Sequence, residues 1–408
     1  MKKIAHEKIS KNSRKIPSLA IWYILYFLIF SLAFYIVLNN PTIITPKKIP
    51  SETVKPKKAI KSSMPKYLIT TAVGTGEAGY SGDNELATNA KINDPYGIAV
   101  SENGTLFISD RQNSRIRKVD PGGIISTFAG VGSSQIICTS EPISEAHIPG
   151  PEKLTLGADG SLYVSSSQGH RIRKIDNQGV VKVVAGTGDP GYNIDGIIAT
   201  SSQLYSPGGT AVDAQGNLYI ADTLNHRVRK VDPKGIISTI AGTGIAGFSG
   251  DNGPAIKAKI DTPTSVAISS DGYLYFSHGL NPRVRKISPR GRISTIAGTG
   301  TAGFSEDGTS ADKARLSEWS STVLGPDDTV YIVDHKNNRI LYIDNKGFIR
   351  NLAGTGTGGF SGDNGNATEA MLGHPTQVAI NKENVIFISD ADNNRIRKLV
   401  LTPSKDLR

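Results

Sequence analysis

Short segments in which apolar and polar residues alternate recur along residues 67–401. In one copy these segments are residues 237–241, 265–269, 273–277 and 284–287. Alternation with a period of two predicts β-strands. Asp271-Gly272 separates the second segment from the third and suits a two-residue hairpin turn, because such turns favour these residues at positive φ. The pattern predicts four short antiparallel strands per copy, with a Gly-rich loop and a helix-like stretch, residues 254–260, between the first strand and the second.

The copies follow one another at a constant interval, equal to the separation between Arg115 and Arg171 along the chain. This interval separates the members of an arginine series, which we call the Arg115 series, and of a glycine series: Arg115, Arg171, Arg227, Arg283, Arg339 and Arg395, and Gly74, Gly130, Gly186, Gly242, Gly298 and Gly354. An additional first strand, residues 68–73, precedes the first copy, and the last copy ends at residues 396–400 without one. We therefore expect the N-terminal strand to complete the last sheet. The sequence predicts an all-β fold, a six-bladed β-propeller over residues 67–401 closed by that strand.

Two sequence motifs of the repeat carry a family resemblance. Residues 222–232, Asp-Thr-Leu-Asn-His-Arg-Val-Arg-Lys-Val-Asp, resemble the NHL repeat, and the Gly-rich loop at residues 241–255 is similar to the connecting loop of bacterial and teneurin-type NHL propellers. The resemblance covers residues 67–401 and implies the propeller fold. It also implies an interaction or sensor platform and, more distantly, a relation to propeller enzymes such as amidating lyases and lactonases. Fold alone does not assign an activity.

One uncharged apolar stretch, residues 19–38, precedes the repeats. Its 20 residues would span about 30 Å as a helix, the thickness of the hydrocarbon core. We expect a single transmembrane signal-anchor helix. A cleaved signal peptide is the alternative, but its apolar region usually has only about 7–15 residues and ends in small residues. This stretch is longer and exits through Asn39-Asn40-Pro41.

The flanking residues predict how the chain is placed in the membrane. Residues 1–18 are basic, so the positive-inside rule keeps them in the cytoplasm and puts the propeller outside, in the periplasm or the extracellular space. The lysines of residues 39–66 oppose this bias. That stretch also contains five prolines and predicts an extended linker. Residues 402–408 form a short C-terminal tail.

The charge of the chain is unevenly distributed. The formal net charge is +10, yet residues 1–66 alone hold 13 Lys and Arg against two acidic residues. The remaining 33 basic and 34 acidic residues leave the repeats with a net charge of −1. A nucleic-acid-binding domain usually carries a marked basic excess. We therefore expect no nucleic-acid partner, which also disfavours RNA binding of the kind known in some animal NHL proteins.

Residues that repeat in most copies are interpreted as structural. An aspartate ends the third strand in four copies, and a serine or a histidine replaces it in the other two: Asp110, Asp222, Asp334 and Asp390, with Ser166 and His278. We expect this aspartate to bind backbone amides or the arginine of its own blade, although a ring of carboxylates would also suit a cation. We assign the Arg115 series to the scaffold for the same reason.

A second aspartate recurs in the Gly-rich loop. Its copies are Asp83, Asp195, Asp251, Asp307 and Asp363. A carboxylate beside glycine can hold calcium, and it can equally close an Asx turn without any ion. We expect the turn and predict no cofactor, with calcium or zinc as the alternatives.

Specialised residues are expected where the copies differ. The loop of the second copy departs from the pattern and contains His147 and Cys138, the only cysteine, which excludes an intramolecular disulfide. The fourth copy places His278 at the aspartate position, and the fifth places His335 directly after its aspartate. Histidines around a pore would suit zinc, whereas drift among copies explains them without a metal. The binding candidates are Ser166, His278, Asp334 and His335. They are expected on the face of the ring that carries the loops leaving the third strands, which we call the loop-rich face.

These observations favour binding over catalysis. The rigid repeats share no catalytic set, and the expected anchor would keep the propeller close to a membrane. We expect a platform for a protein, peptide or glycan, with the membrane itself bound through residues 19–38. The alternative is a metal-dependent enzyme of the lyase or lactonase kind with its site at the central pore.

Overall fold

The computed structural model describes residues 67–133, 135 and 140–402, which form 27 strands. In chain order the strands are β1 (Tyr67–Val73), β2 (Glu85–Leu86), β3 (Pro95–Val100), β4 (Leu106–Asp110), β5 (Arg115–Val119), β6 (Ile124–Ala129), β7 (Glu141–Pro142), β8 (Leu154–Leu156), β9 (Leu162–Ser166), β10 (Arg171–Ile175), β11 (Val180–Ala185), β12 (Thr210–Val212), β13 (Leu218–Asp222), β14 (Arg227–Val231), β15 (Ile237–Ala241), β16 (Pro263–Ile268), β17 (Leu274–His278), β18 (Val284–Ile287), β19 (Ile293–Ala297), β20 (Ser321–Leu324), β21 (Val330–Asp334), β22 (Arg339–Ile343), β23 (Ile349–Ala353), β24 (Gly365–Asn366), β25 (Pro375–Ile380), β26 (Ile386–Asp390) and β27 (Arg395–Leu401).

The described strands form six antiparallel sheets, which are the predicted blades. From the inside outward they are blade 1 (β3 to β6), blade 2 (β8 to β11), blade 3 (β12 to β15), blade 4 (β16 to β19), blade 5 (β20 to β23) and blade 6 (β25, β26, β27 and β1). The two-residue strands β2, β7 and β24 extend the outer edges of blades 1, 2 and 6. The innermost strands of neighbouring blades adjoin around the axis. They include β25 of blade 6 and β3 of blade 1, which meet at the seam between the last blade and the first.

The N-terminal strand completes the last blade, as predicted. Strand β1 pairs antiparallel with β27, from Tyr67 opposite Leu401 to Val73 opposite Ile396. A register shift between Thr71 and Val73 marks a bulge. The first and last strands of the ring are therefore joined by a full ladder of backbone hydrogen bonds, which leaves no open sheet edge at the seam.

The hydrophobic core lies between the blades. The described residues form six buried clusters, each shared by two neighbouring blades. At the seam, Val73 and Ile396 of blade 6 pack in one cluster with Ile98 and Ile108 of blade 1. Full burial of one such aliphatic side chain stabilises the fold by about 1.5–3 kcal/mol. Blade-to-blade packing thus stabilises the closed ring along with the strand pairing.

The stretch expected to be helix-like contains only a single 3₁₀ turn, Ala255–Lys257. The amide of Ala258 donates to Ala255 O at 3.1 Å and closes the turn. The carbonyl of Ala258 then accepts from Thr243 N of the Gly-rich loop at 3.1 Å, so the backbone does not continue as a helix. Eight other 3₁₀ turns occur among the described residues: Ala87–Asn89, Arg111–Asn113, Ala199–Ser201, Thr223–Asn225, Ala311–Lys313, His335–Asn337, Ala367–Glu369 and Ala391–Asn393.

Several predictions concern residues outside the described part of the chain. These are the cytoplasmic segment 1–18, the transmembrane helix 19–38, the linker 39–66, Cys138 and residues 403–408 of the tail. None of the helices within the described ranges has the length and apolar character needed to cross a bilayer.

Candidate functional site

The repeated aspartate and a fully buried arginine form an ion pair inside three blades. In blade 3, Asp222 accepts hydrogen bonds from Tyr205 N at 2.8 Å, Asn225 Nδ2 at 2.9 Å and Arg229 at 3.2 Å. Burial raises the pKa of Asp222 to about 6, against the opposing effect of these bonds. The same ion pair joins Asp110 to Arg117 and Asp390 to Arg397. These carboxylates tie strand ends to loops within a blade.

Three of the four predicted binding candidates occupy this same internal position. Asp334 accepts from Ser317 N at 2.6 Å and from Arg339 Nε at 2.8 Å. His278 is buried and its Nδ1 accepts from Asp261 N at 3.4 Å, so the imidazole replaces the carboxylate as the acceptor. Burial and the nearby arginines hold the pKa of His278 well below its usual value.

The third of these candidates is a serine. Ser166 is buried, and its hydroxyl donates to Pro149 O and accepts from Gly169 N, both at 3.2 Å. The hydroxyl thus bonds to the same kind of loop backbone as the aspartates do. Ser166, His278 and Asp334 therefore contribute to the frame of their blades.

The arginines of the Arg115 series stack on aromatic rings of the Gly-rich loops. The guanidinium carbons of Arg227 and Arg283 lie 3.6 Å and 3.8 Å from the ring centroids of Tyr192 and Phe248. Arg115, Arg339 and Arg395 stack in the same way on Tyr80, Phe304 and Phe360. Arg171 bonds the carbonyls of Gly169 and Thr187, and Arg115, Arg227 and Arg395 bond the equivalent carbonyls as well as stacking on a ring. Each of these arginines joins a strand to a loop.

A second arginine series, two residues further on, was not singled out from the sequence. Its members are Arg117, Arg173, Arg229, Arg285 and Arg397, and Leu341 takes the place of the sixth. Blade 5 has no arginine at this position, and there Asp334 pairs with Arg339 of the Arg115 series. The signal for this series was the same constant interval that separates the copies.

The loop aspartates bind these buried arginines. Asp83, Asp195 and Asp363 lie 2.7 Å, 2.9 Å and 2.7 Å from Arg117, Arg229 and Arg397. Their carboxylates therefore already have a cationic partner. Within the described ranges, no group of three or more His, Cys, Asp or Glu side chains is arranged to hold a metal ion.

A pocket of about 220 Å³ opens where the innermost strands begin, at the loop-rich face. It is lined by Tyr96, Glu152, Lys153, Ser167, Ser206, Gly208, Thr223, Thr264, Trp319, Ser321, His335 and Thr376. Most of these residues occupy three repeat positions: the residue after the strand-end aspartate, and the first and second residues after the proline that opens the inner strand. The copies differ at all three positions. The constant residues thus build the frame, and the varied residues build the pocket.

Lys153 closes the bottom of the pocket. Its ammonium group reaches from blade 2 to the carbonyl of Thr376 in blade 6. Directly beside it, Gln377 Nε2 donates to Leu154 O at 2.9 Å. Lys153 also lines a second cavity of about 320 Å³ that continues along the axis between the inner strands. Lys153 therefore lies at the boundary between the pocket and the axial cavity.

Glu152 and Lys153 line the pocket, and Glu152 adjoins a second charged pair, Arg111 and Asp94, outside its lining. Glu152 accepts from Ser167 Oγ at 2.5 Å and lies 3.9 Å from Arg111. Arg111 donates through Nε to Asp94 at 2.7 Å. Burial raises the pKa of Glu152 and lowers the pKa of Lys153 to about 7. A deeply placed amine and carboxylate are therefore available to a ligand.

Tyr96 lies between the two basic groups of the site. Its ring centroid is 4.7 Å from the Arg111 guanidinium carbon and 5.2 Å from Lys153 Nζ. Burial, followed by the charge of Glu152, raises the pKa of the Tyr96 phenol, so this group stays protonated at neutral pH. The tyrosine thus packs its aromatic face against both cations.

His335 and Trp319 complete the pocket. The Nδ1 atom of His335 lies 2.9 Å from the carbonyl oxygen of Pro375, which can only accept, so Nδ1 carries a proton. Burial lowers the pKa of this imidazole. Trp319 is 39% exposed and has a φ of +61°, which is costly for a bulky residue. Of the four predicted candidates, His335 alone lines this pocket.

Sequence reasoning missed the other chemically distinctive residues of the site. Glu152, Lys153, Tyr96 and Trp319 were not singled out. A comparison of equivalent positions would have found Trp319, because the other five copies hold proline at that position: Pro95, Pro151, Pro207, Pro263 and Pro375.

The family comparison agrees with the fold. The sequence profile of the Teneurin NHL domain matches residues 72–147 and 187–247, and a profile described as strictosidine synthase-like, N-terminal, matches residues 140–173. Human Teneurin-4 is 34% identical over 233 residues, which is 50% of this chain and 8% of that protein. Chicken Teneurin-1 is 28% identical over 375 residues, which is 81% of this chain and 13% of that protein. The chain thus spans a small part of these relatives.

Solved structures share the architecture. A Bacteroides thetaiotaomicron protein of unknown function superposes with a TM-score of 0.61 at 19% identity, covering 83% of this chain and 77% of that one. An auxiliary nutrient binding protein from the same species gives a TM-score of 0.58 at 17% identity, with the same coverage of both chains. Likeness at this identity concerns the fold. The Teneurin NHL profile match, the teneurin relatives and the repeats support an NHL-repeat β-propeller family for this chain.

Proposed function

We propose that this protein is a membrane-tethered, exported binding platform whose loop-rich face takes up a protein, peptide or glycan. The observation that carries the proposal is the convergence of varied repeat positions on one pocket. Lys153, Glu152 and Trp319 each occur in a single copy at their position, yet all line that pocket. A fold that repeats six times does not require such differences at one place, whereas recognition of an asymmetric ligand requires them.

The metal-dependent alternative has less support. It requires that a metal is held at the pore by His278, His335 or the aspartates that end the third strands. His278 and Asp334 instead bond to loop backbone inside their blades, while His335 lines the pocket. The charged groups that the pocket does bring together, Lys153 and Glu152, suit hydrogen bonding to a ligand.

The tether is proposed from the sequence of residues 1–66. The uncharged stretch 19–38 is long enough to cross a bilayer, and the basic residues before it favour an exported propeller. The test is limited trypsin treatment of spheroplasts that express the full chain. Cleavage at the lysines of residues 39–66 should release the propeller from intact spheroplasts. Cleavage that requires permeabilisation of the membrane would contradict this orientation.

Binding at the loop-rich face is tested by capture with the full chain from envelope or extracellular material. The chain is compared with three variants: Lys153→Met and Trp319→Gly in the pocket, and Phe248→Leu as a control. Phe248 is also an exposed aromatic residue, but it stacks on Arg283 away from the pocket. We expect one partner that the wild type and the control recover and that both pocket variants lose. Equal recovery by all four proteins, or turnover of a small substrate without any partner, would overturn the proposal.

A further inference from the structure

We propose that the pocket at the loop-rich face binds a single neutral sugar ring, either a free monosaccharide or the terminal residue of a glycan. This inference rests on the proposed function, because it names the ligand class of the same site. Three independent features of the pocket support it: its size, its balanced charge and its exposed indole.

The size of the pocket limits the ligand to about one ring. Its volume is about 220 Å³, below the range of roughly 300–1,000 Å³ that is usual for drug-sized ligands. Lys153 crosses its lower end to the carbonyl of Thr376, at the boundary with the axial cavity, and so obstructs a chain from threading through. The pocket therefore suits a compact ring or the end of a chain.

The charges of the pocket balance one another. Glu152 and Lys153 line the pocket, and Arg111 and Asp94 form a second pair beside Glu152, so each acidic group is matched by a basic one and neither sign of charge is in excess. Sugar hydroxyls both donate and accept. One hydroxyl can donate to the Glu152 carboxylate, and its neighbour can accept from an N–H of Lys153 that the Thr376 carbonyl does not use. Adjacent hydroxyls of a sugar ring match this pair of groups.

The indole of Trp319 supplies an apolar face. Its ring packs against Gly279: a Cβ atom added there would meet Trp319 Cε3 at 3.0 Å. The main chain holds the residue through Trp319 N, which donates to Gly279 O at 2.9 Å. A large ring that remains 39% exposed at a pocket, on a backbone conformation unfavourable for it, is available to cover the C–H face of a sugar. Ser167, Thr223 and Thr264 line the remaining wall.

Tryptophan fluorescence tests this directly, because the chain has only two tryptophans, Trp22 and Trp319. In a full chain carrying Trp22→Phe, all tryptophan emission comes from Trp319. The protein, in a detergent without a sugar headgroup, is titrated with glucose, galactose, mannose and N-acetylglucosamine. We expect a saturable change in emission with at least one of them. Lys153→Met and Glu152→Gln should each weaken the binding about tenfold, as expected for a lost hydrogen bond to a charged group. Phe248→Leu should leave it unchanged.

The contradicting outcomes separate this inference from the proposed function. No saturable response to any neutral sugar, or an equal response in Lys153→Met and Glu152→Gln, would overturn the assignment to a sugar. Tighter binding of glucuronate than of glucose would overturn the charge argument. If sugars give no response but partner capture still depends on Lys153 and Trp319, only the assignment to a sugar is wrong and the proposed function is kept. If capture also fails to depend on them, the proposed function falls with it.

Discussion

Gln377 of blade 6 and Leu154 of blade 2 exchange two hydrogen bonds on the inside of the ring, past the inner strand of blade 1. Gln377 Nε2 donates to Leu154 O at 2.9 Å, and Leu154 N donates to Gln377 Oε1 at 3.3 Å. Blade 1 stands between these two blades, and its inner strand has glycine at the corresponding position, Gly97. A Cβ atom there would lie 1.9 Å from Glu152 O. The absence of a side chain in blade 1 is what lets blades 2 and 6 meet.

Replacing Gln377 with leucine should therefore destabilise the ring. The substitution leaves the amide and carbonyl of Leu154 without these partners, at a cost of about 1–3 kcal/mol. Urea unfolding followed by circular dichroism measures the loss. Gln215→Leu is the control, because Gln215 is exposed, and a surface change of this kind stays within about 0.5 kcal/mol. Equal effects of the two substitutions would contradict the contact between blades 2 and 6.

The buried amine of Lys153 should make stability depend on alkaline pH. Burial lowers the pKa of Lys153 to about 7, so between pH 7 and about 10 the unfolded chain holds a proton that the folded chain has lost. Stability then rises with pH in this window, by at most about 1.4 kcal/mol per pH unit, and the contribution is flat below pH 7. Tyr96 does not contribute below about pH 10, because its phenol is protonated there in the unfolded chain and its raised pKa keeps it protonated in the folded chain.

Unfolding measured at pH 7.5 and 9.5 (values chosen inside that window of about 7–10) tests this dependence. The rise should disappear in Lys153→Met and persist in Lys257→Met, which removes an exposed lysine. A rise that is the same in both variants would show that Lys153 is not the group responsible.

The two neighbouring arginine series should differ in their contribution to stability. Arg229 is fully buried and pairs with Asp222 and Asp195. Its replacement by methionine strands a buried carboxylate, at a cost of about 3–5 kcal/mol. Arg227 is only partly buried; it stacks on the half-exposed ring of Tyr192 and donates to the carbonyls of Asn225 and Thr243. Arg227→Met strands no buried carboxylate, so it should cost only about 1–2 kcal/mol. Chemical denaturation of both variants makes the comparison. A larger loss from Arg227→Met would reverse the roles assigned to these residues.

The sequence predicted the frame well because the frame is what repeats. The constant interval between copies reveals every strand several times, and the unpaired first strand at residues 68–73 implies the seam. That strand does pair with β27. The interval also revealed Arg227, but it gave no way to rank it against Arg229, since burial depends on which face of the strand meets the neighbouring blade.

The site was less accessible to sequence reasoning, because it is built by contacts between blades. His335 was identified, since it differs from its counterparts in other copies. Lys153 was missed, because its role depends on reaching Thr376, which is 223 positions away along the chain. Trp319 could have been identified from the sequence, because it interrupts an otherwise constant series of prolines.

The closure of the ring is tested most directly by a disulfide across the seam. Leu68 and Val400 lie opposite each other in β1 and β27, and both are 41% exposed. With Cys138 replaced by serine, Leu68→Cys and Val400→Cys should form an intramolecular bond on mild oxidation, because directly paired antiparallel residues have the required separation.

The matched control pairs Leu68→Cys with Lys398→Cys, which lies two residues out of register. Non-reducing electrophoresis and mass spectrometry of the full chain report the result. The ring predicts near-complete cross-linking within one chain for the first pair and little for the second. Cross-linking only between chains, or equally in both pairs, would show that the first strand does not complete the last blade.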